Sequence, residues 1–267
     1  EWGGTVLAYA KSIGIFNDLE IKDQVSYIPG GSTQNTIRVL ARILYKNEEN
    51  KNKFKISMLG SVGSDNYKDK IINSLKECNV RPLLEIIPNL NTSRCGVGIY
   101  KKERSLVTEL RASKNLSKDY INNNEDEILN HDAIIIEGYI LQNKLDICKS
   151  LCEYFNKNKK LVILNFGAVF IVQYHFEKLI EIANMANIIV SNIEEAETFV
   201  GKKFTDSMEL FQTIHQKLAP RNRIIIITNG SKSTMCSKYD YENEKLDYVI
   251  NCFPKKVKNE DICDLNG

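Results

Sequence analysis

Between residues 133 and 228 the sequence alternates short aliphatic runs with amphipathic stretches, and this alternation restricts the chain more than any other feature. Residues 133–137, 161–165, 188–191 and 223–228 read as strands, while 143–156, 173–185, 194–200 and 206–218 carry the apolar spacing of helices. Strands joined through helices pair in parallel and are covered on both faces. The prediction is a doubly wound α/β fold with helices on both faces of the sheet. Ligands of such folds bind beyond the carboxyl ends of the strands. Residues 234–238 and 248–253 follow as two antiparallel pieces. No period of 20 to 50 residues repeats and no linker interrupts the chain, so one domain over residues 1–267 is expected.

The first half reads less regularly. Residues 5–8 form a short extended piece, about 12–22 a helix, and 25–28 a strand leading to Gly30-Gly31. After the glycine pair, Ile37, Leu40, Ala41 and Leu44 follow helical spacing, with Ser32 or Thr33 as the cap. A buried strand at 55–59 then enters the segment Gly60-Ser61-Val62-Gly63-Ser64-Asp65, and a helix runs on through Leu75. After a strand at 81–87, residues 95–100 and 105–110 alternate around Lys101-Lys102-Glu103, the pattern of a β-hairpin. A hairpin inserted in a βαβ series tends to leave the main sheet. The two segments about 1–29 and 92–112 are therefore expected to form a small β lid.

Composition excludes several partners. The formal charge is +2, from 36 Lys and Arg against 34 Asp and Glu, which gives no electrostatic footprint for nucleic acid or anionic lipid. The longest aliphatic runs, Ile134 to Ile136 and Ile224 to Ile227, are too short to span a membrane. A soluble, cytoplasmic monomer is expected. Seven cysteines occur without a C-x-x-C pair, which favours reduced thiols. Cys148 and Cys152, at i and i+4 of a helix, read as core rather than as metal ligands. His131, His175 and His215 lie far apart and near no nucleophile motif, so surface or capping roles are expected for them.

Chemistry concentrates at predicted strand ends. Gly30 and Gly31 let a backbone approach a ligand closely, and the helix start beyond them offers unpaired N–H donors beside Asn35. A tight turn with an ordinary cap would leave the same local trace. Asn192 and Glu195 together suit Mg²⁺, which prefers oxygen ligands and often keeps water between itself and the protein; the same spacing also reads as a capping box. Thr228-Asn229-Gly230 and Asp264-Leu265-Asn266-Gly267 are the remaining polar segments of this kind. Neither G-x-x-x-x-G-K-[ST] nor G-x-G-x-x-G occurs, so a nucleotide site here has to use another geometry.

Gly30-Gly31-Ser32-Thr33-Gln34-Asn35-Thr36-Ile37-Arg38-Val39 resembles the signature of the adenosine-kinase branch of the ribokinase-like carbohydrate kinase family. Gly60 to Asp65, Cys95-Gly96-Val97, Glu103-Arg104-Ser105-Leu106, Asn192-x-x-Glu195 and Asp264-x-Asn266-Gly267 resemble further family segments in the same order. The resemblance implies a ribokinase-like fold and transfer of the ATP γ-phosphoryl group to the ribose 5′-hydroxyl of adenosine, giving AMP. It implies that Gly30, Gly31, Ser32 and Asn35 bind the ribose, and that Leu7, Cys95, Leu106, Leu110, Tyr139 and Phe170 surround the purine. Without the family, most of these apolar positions read as core. Arg104 matches an arginine that meets the phosphates when the lid shuts; as a local sequence it is a solvated turn residue. Asn192 and Glu195 would organise Mg²⁺ through water, and Thr228, Asn229, Gly230, Asp264, Asn266 and Gly267 would border ATP.

The sequence departs from the family pattern in places. Leu265 stands where the family has Thr, and the resemblance implies that the Ala-Gly-Asp carrying the anion hole and the general base would follow Gly267, so these residues are expected to be a portion of a longer enzyme. The strand carrying a ribose-binding Asp would likewise precede Glu1. Gly167 and Val169, flanking Ala168 before Phe170, could reshape the purine pocket. Three alternatives stand beside the kinase: a relative acting on ribose or another sugar, a non-catalytic nucleoside-binding protein, and an NAD-dependent oxidoreductase suggested only by the α/β pattern.

Overall fold

A computed structural model describes residues 5–7, 14–20, 25–100 and 103–256. They fall into two compact units, one built from residues up to Tyr120 and the other from Ile121–Lys256.

In the first unit the strands form two sheets. Strands β1 (Thr5–Leu7), β2 (Ser57–Gly63), β3 (Arg81–Ile87), β4 (Arg94–Tyr100) and β5 (Glu103–Glu109) divide into a parallel pair, β2–β3, and a three-stranded sheet in the order β1-β5-β4. β4 and β5 are the expected hairpin, antiparallel from Arg94 opposite Glu109 to Tyr100 opposite Glu103. The helix Gly14–Glu20 packs on one face of that hairpin, where Phe16 is buried and the Arg94 guanidinium lies 4.2 Å from its ring centroid. The opposite face leaves Val97 and Ile99 exposed.

Two sequence expectations change here. Residues 25–28 form no strand and have no ladder partner among the described residues. Tyr27 and Ile28 stay exposed, so nothing buries the alternating pattern, and Pro29 has no N–H to give. The strand expected at 55–59 instead runs Ser57–Gly63, and its register with β3 holds from Ser57 opposite Arg81 to Gly63 opposite Ile87. Glycines therefore sit inside β2. At Gly63 the close approach requires one, because a Cβ there would lie 2.3 Å from backbone atoms of Asn91 and Thr92.

The second unit holds a six-stranded sheet. Strands β6 (Ala133–Glu137), β7 (Leu161–Asn165), β8 (Ile188–Asn192) and β9 (Arg223–Thr228) are parallel, and β10 (Thr234–Asp240) and β11 (Lys245–Cys252) continue it antiparallel, in the order β11-β10-β9-β8-β7-β6. β-Branched Ile and Val dominate the parallel strands because each is covered on both faces. The helices Leu141–Lys157, Phe176–Met185, Ile193–Val200 and Ser207–Lys217 supply the cover. Phe155, Phe166, Phe199 and Phe211 are fully buried among them, each worth about 1.5–3 kcal/mol of transfer free energy. Cys148 and Cys152 belong to this core, as the helical spacing indicates. The single helix expected at 173–185 is two, Val169–Tyr174 and Phe176–Met185, because His175 leaves helical geometry at φ −128° and ψ 29°.

His215 corrects the expectation of surface histidines. It is 7% exposed and stacks on Tyr239 with ring centroids 4.6 Å apart. Burial, aided by the Arg223 charge, pushes its pKa down to about 3.

Candidate active site

In the first unit the Gly30-Gly31 pair ends in a helix start. Gly31 takes φ 116°, where a side chain would be strained, and is itself the N-cap of the helix Ser32–Leu44. Its carbonyl accepts from Asn35 N at 2.9 Å. No side chain caps this helix, which corrects the expectation for Ser32 or Thr33: the cap position needs the glycine's backbone angle. The helix start thus keeps N–H donors beside the exposed Ser32 and Asn35. Gln34, not singled out in the sequence, is 2% exposed.

The segment Gly60 to Asp65 proves to be an anchor for the hairpin. Asp65 Oδ2 accepts from Thr92 N and Oδ1 from the Thr92 hydroxyl, both at 2.8 Å. Ser61 Oγ, buried, donates to Ala112 O at 2.8 Å. These bonds fix the residues entering β4 and leaving β5. Next to the base, Glu109 accepts from Arg94 Nε and Arg111 Nη2, both at 2.8 Å. Burial works against ionisation of Glu109, but the hydrogen bonds and charges of Arg111 and Arg94 outweigh it and hold its pKa low.

The expected hairpin residues take definite places. Cys95 is exposed and its sulfur accepts from the Thr108 hydroxyl at 3.3 Å. Leu106 lies opposite Val97, and Leu110 directly follows β5. Arg104 lies opposite Ile99 in the ladder, and Leu7 of β1 pairs with Thr108. Asp264, Asn266 and Gly267 lie outside the described residues.

In the second unit, each parallel strand ends in a polar residue: Glu137, Asn165, Asn192 and Thr228. The register places Glu137 beside Asn165 and Asn192 beside Thr228, and all four share one face of the sheet. Asn165 Nδ2 donates to Glu137 Oε2 at 2.8 Å. Asn192 and Glu195 form a complete capping box. Asn192 Oδ1 accepts from Glu195 N at 2.8 Å, and Glu195 accepts from Asn192 N at 3.0 Å and from Asn192 Nδ2 at 2.7 Å. Glu195 is 4% exposed. Burial pushes its pKa up, the Asn192 N–H pulls it back, and Glu137 and Glu194 add repulsion. Thr228 donates to Ser191 O at 3.4 Å, and Gly230 turns the chain at φ 53° next to Asn229.

Tyr139 and Phe170 stand close by in this unit, ring centroids 5.9 Å apart and tilted 54°. Tyr139 donates its hydroxyl to Gly167 O at 2.7 Å. Burial first, then Glu195 and Glu137, push its pKa up to about 12, so the phenol keeps its proton. Sequence reasoning passed over Glu137 and Asn165. The available signal was a polar residue closing an aliphatic run at the carboxyl end of a strand.

A model of the pfkB family carbohydrate kinases matches residues 5–259. The chain belongs to the pfkB family. The adenosine kinase of Dictyostelium discoideum is 29% identical over 99% of this chain and 76% of its own length. The structure of Trypanosoma brucei brucei adenosine kinase superposes with a TM-score of 0.85 at 23% identity, covering 100% of this chain and 80% of that one. Adenosine kinase from Schistosoma mansoni, in complex with adenosine in an occluded loop conformation, gives 0.84 at 22%, covering 100% and 77%. The ribokinase-like α/β fold expected from the sequence is therefore the fold of this pfkB chain.

Each Glu195 carboxylate oxygen accepts one hydrogen bond from Asn192 and keeps a further lone pair. Among the described residues no group of three His, Cys, Asp or Glu side chains could hold a metal. This donor set fits a hydrated magnesium ion that Glu195 and Asn192 would hold through water.

Proposed function

We propose that this pfkB kinase phosphorylates the ribose 5′-hydroxyl of adenosine with ATP. The observation that carries the reading is the row of polar strand ends, Glu137, Asn165, Asn192 and Thr228, where a fold of this kind binds ligands, in a chain whose relatives named above are adenosine kinases.

In the reaction the bond between the γ-phosphorus and the leaving ADP oxygen breaks, the bond to O5′ forms, and the hydroxyl proton is released to solvent water. Gly30, Gly31, Ser32 and Asn35 hold the ribose hydroxyls, orienting O5′. Leu7, Cys95, Leu106 and Leu110 in the first unit, and Tyr139 and Phe170 in the second, are the apolar residues assigned to the nucleoside, of the kind that favours flat bases. Thr228, Asn229, Gly230, Asp264, Asn266 and Gly267 border ATP. Asn192 and Glu195 would hold a magnesium ion through its water shell. Bound there, the ion would supply positive charge to offset that of the phosphates. Arg104 is the cation assigned to offset charge on the transferring group, and the sheet β1-β5-β4 is the element assigned as lid.

Thermal unfolding tests the substrate class directly. A ligand that binds only the folded chain stabilises it by about 2.7 kcal/mol at a hundredfold excess over Kd. Adenosine is expected to raise the Tm and ribose to leave it unchanged. Equal shifts from both would move the assignment to a sugar kinase.

A further inference from the structure

The loops after β6 and β7 are interlocked through two glycines. Gly138 follows β6, and a Cβ there would lie 2.1 Å from Phe166 O. Gly167 follows β7 with φ +89°, and a Cβ there would meet the Tyr139 ring at 3.1 and 3.2 Å. Each loop thus presents a bare Cα to the other. The Tyr139 hydroxyl closes the contact at Gly167 O, 2.7 Å away, and the ring leans on Phe170. A half-buried tyrosine fixed at its edge, its face and its hydroxyl has one orientation.

We infer that Gly167 is a positioning residue for nucleoside recognition: by lacking a Cβ it seats the Tyr139 ring against the 166–168 loop and so fixes the aromatic wall that receives the base. The inference rests on the adenosine-kinase reading above, which assigns Tyr139 and Phe170 to the purine. It assigns Gly167 a task beyond its turn geometry, one exercised only through Tyr139. Because the Tyr139 hydroxyl donates to a backbone carbonyl, the ring contributes its face to the base and donates no hydrogen bond to it.

A double-mutant cycle on the full-length chain tests this, reading adenosine Kd by calorimetry, ATP KM, and Tm. Gly167→Asn is the informative single variant, since Asn tolerates positive φ while its Cβ still meets the ring; Gly167→Ala adds backbone strain. With Tyr139 in place, either is expected to raise the adenosine Kd about five- to tenfold, the order of a lost aromatic contact, with ATP KM unchanged. In a Tyr139→Ala background, the same substitution is expected to lower Tm only by its backbone strain and to add nothing to Kd. Tyr139→Phe, which keeps the ring and drops the hydroxyl, should fall between wild type and Tyr139→Ala. A Gly167→Asn protein that binds adenosine like wild type, or a Kd increase of equal size in both backgrounds, would overturn the inference alone. Absence of adenosine binding by the wild-type chain would overturn the adenosine-kinase reading and the inference with it.

Discussion

Asp65 holds Thr92 from two directions, with one carboxylate oxygen on the backbone N–H and the other on the side-chain hydroxyl, both at 2.8 Å. A third bond, from Tyr67 N at 3.2 Å, ties the same carboxylate to the next helix. The entry to the β4–β5 hairpin is therefore fastened by a group three bonds deep. Asp65→Ala is expected to cost about 2–3 kcal/mol, since it strands the buried Thr92 donors. Hydrogen exchange at Thr92 should accelerate while exchange in β6 to β9 stays at the wild-type rate.

Two glycines of one strand should respond oppositely to alanine. At Gly60 an added Cβ would meet the Leu84 side chain at 3.5 Å, an ordinary contact, whereas at Gly63 it would fall 2.3 Å from backbone. Gly60→Ala is expected to stay within about 1 kcal/mol of wild type and Gly63→Ala to lose about 3 kcal/mol or more. Denaturant midpoints for the two variants decide the matter. Similar losses would mean that β2 does not pass Asn91 and Thr92 this closely.

These glycines also mark where the sequence was hard to read. Residues 81–87, 133–137, 161–165 and 223–228 were legible as strands because apolar runs end sharply at polar residues or turns. Ser57–Gly63 was not, because Gly60 and Gly63 imitate a loop, and what makes them strand residues is pairing with β3 and contact with residues distant in sequence. Periodicity runs through His175 without a mark, although the backbone breaks there. At the candidate site, Asn192, Glu195 and Thr228 stood out through their motifs. Glu137 and Asn165 were marked only as polar residues closing aliphatic runs; their pairing by register across strands, and the meeting of Gly167 with a loop from β6, are long-range relations with no local trace.

Acid should destabilise the chain partly through His215. Its folded pKa of about 3 lies below the ordinary 6.5, so between these values the unfolded chain takes up a proton that the folded one refuses. Stability from this group is fully present above about 6.5 and is lost as pH falls toward about 3, by at most about 5 kcal/mol over the whole window. Tm against pH is expected to fall more steeply for wild type than for His215→Gln between pH 6.5 and 4. Parallel curves would remove His215 from the acid response.

Arg104 and Glu195 should separate catalysis from binding. Arg104→Ala is expected to lower kcat about a hundredfold while adenosine Kd changes less than about threefold, because the charge it offsets develops only during transfer. Glu195→Gln should likewise lower kcat and additionally raise the magnesium concentration needed for half-maximal rate. It should also cost about 1 kcal/mol of stability through the weakened capping box. Single-turnover kinetics with a magnesium titration distinguish these effects. Unchanged kcat in Arg104→Ala would take Arg104 away from the phosphates.

The central assignment is tested most directly by incubating the full-length chain with ATP, magnesium and adenosine and following the products by ³¹P NMR. The account predicts AMP and ADP in equal amounts, with the new phosphate on O5′ and none formed on ribose supplied alone. ATP turnover without AMP, or phosphorylation of ribose in preference to adenosine, would contradict it.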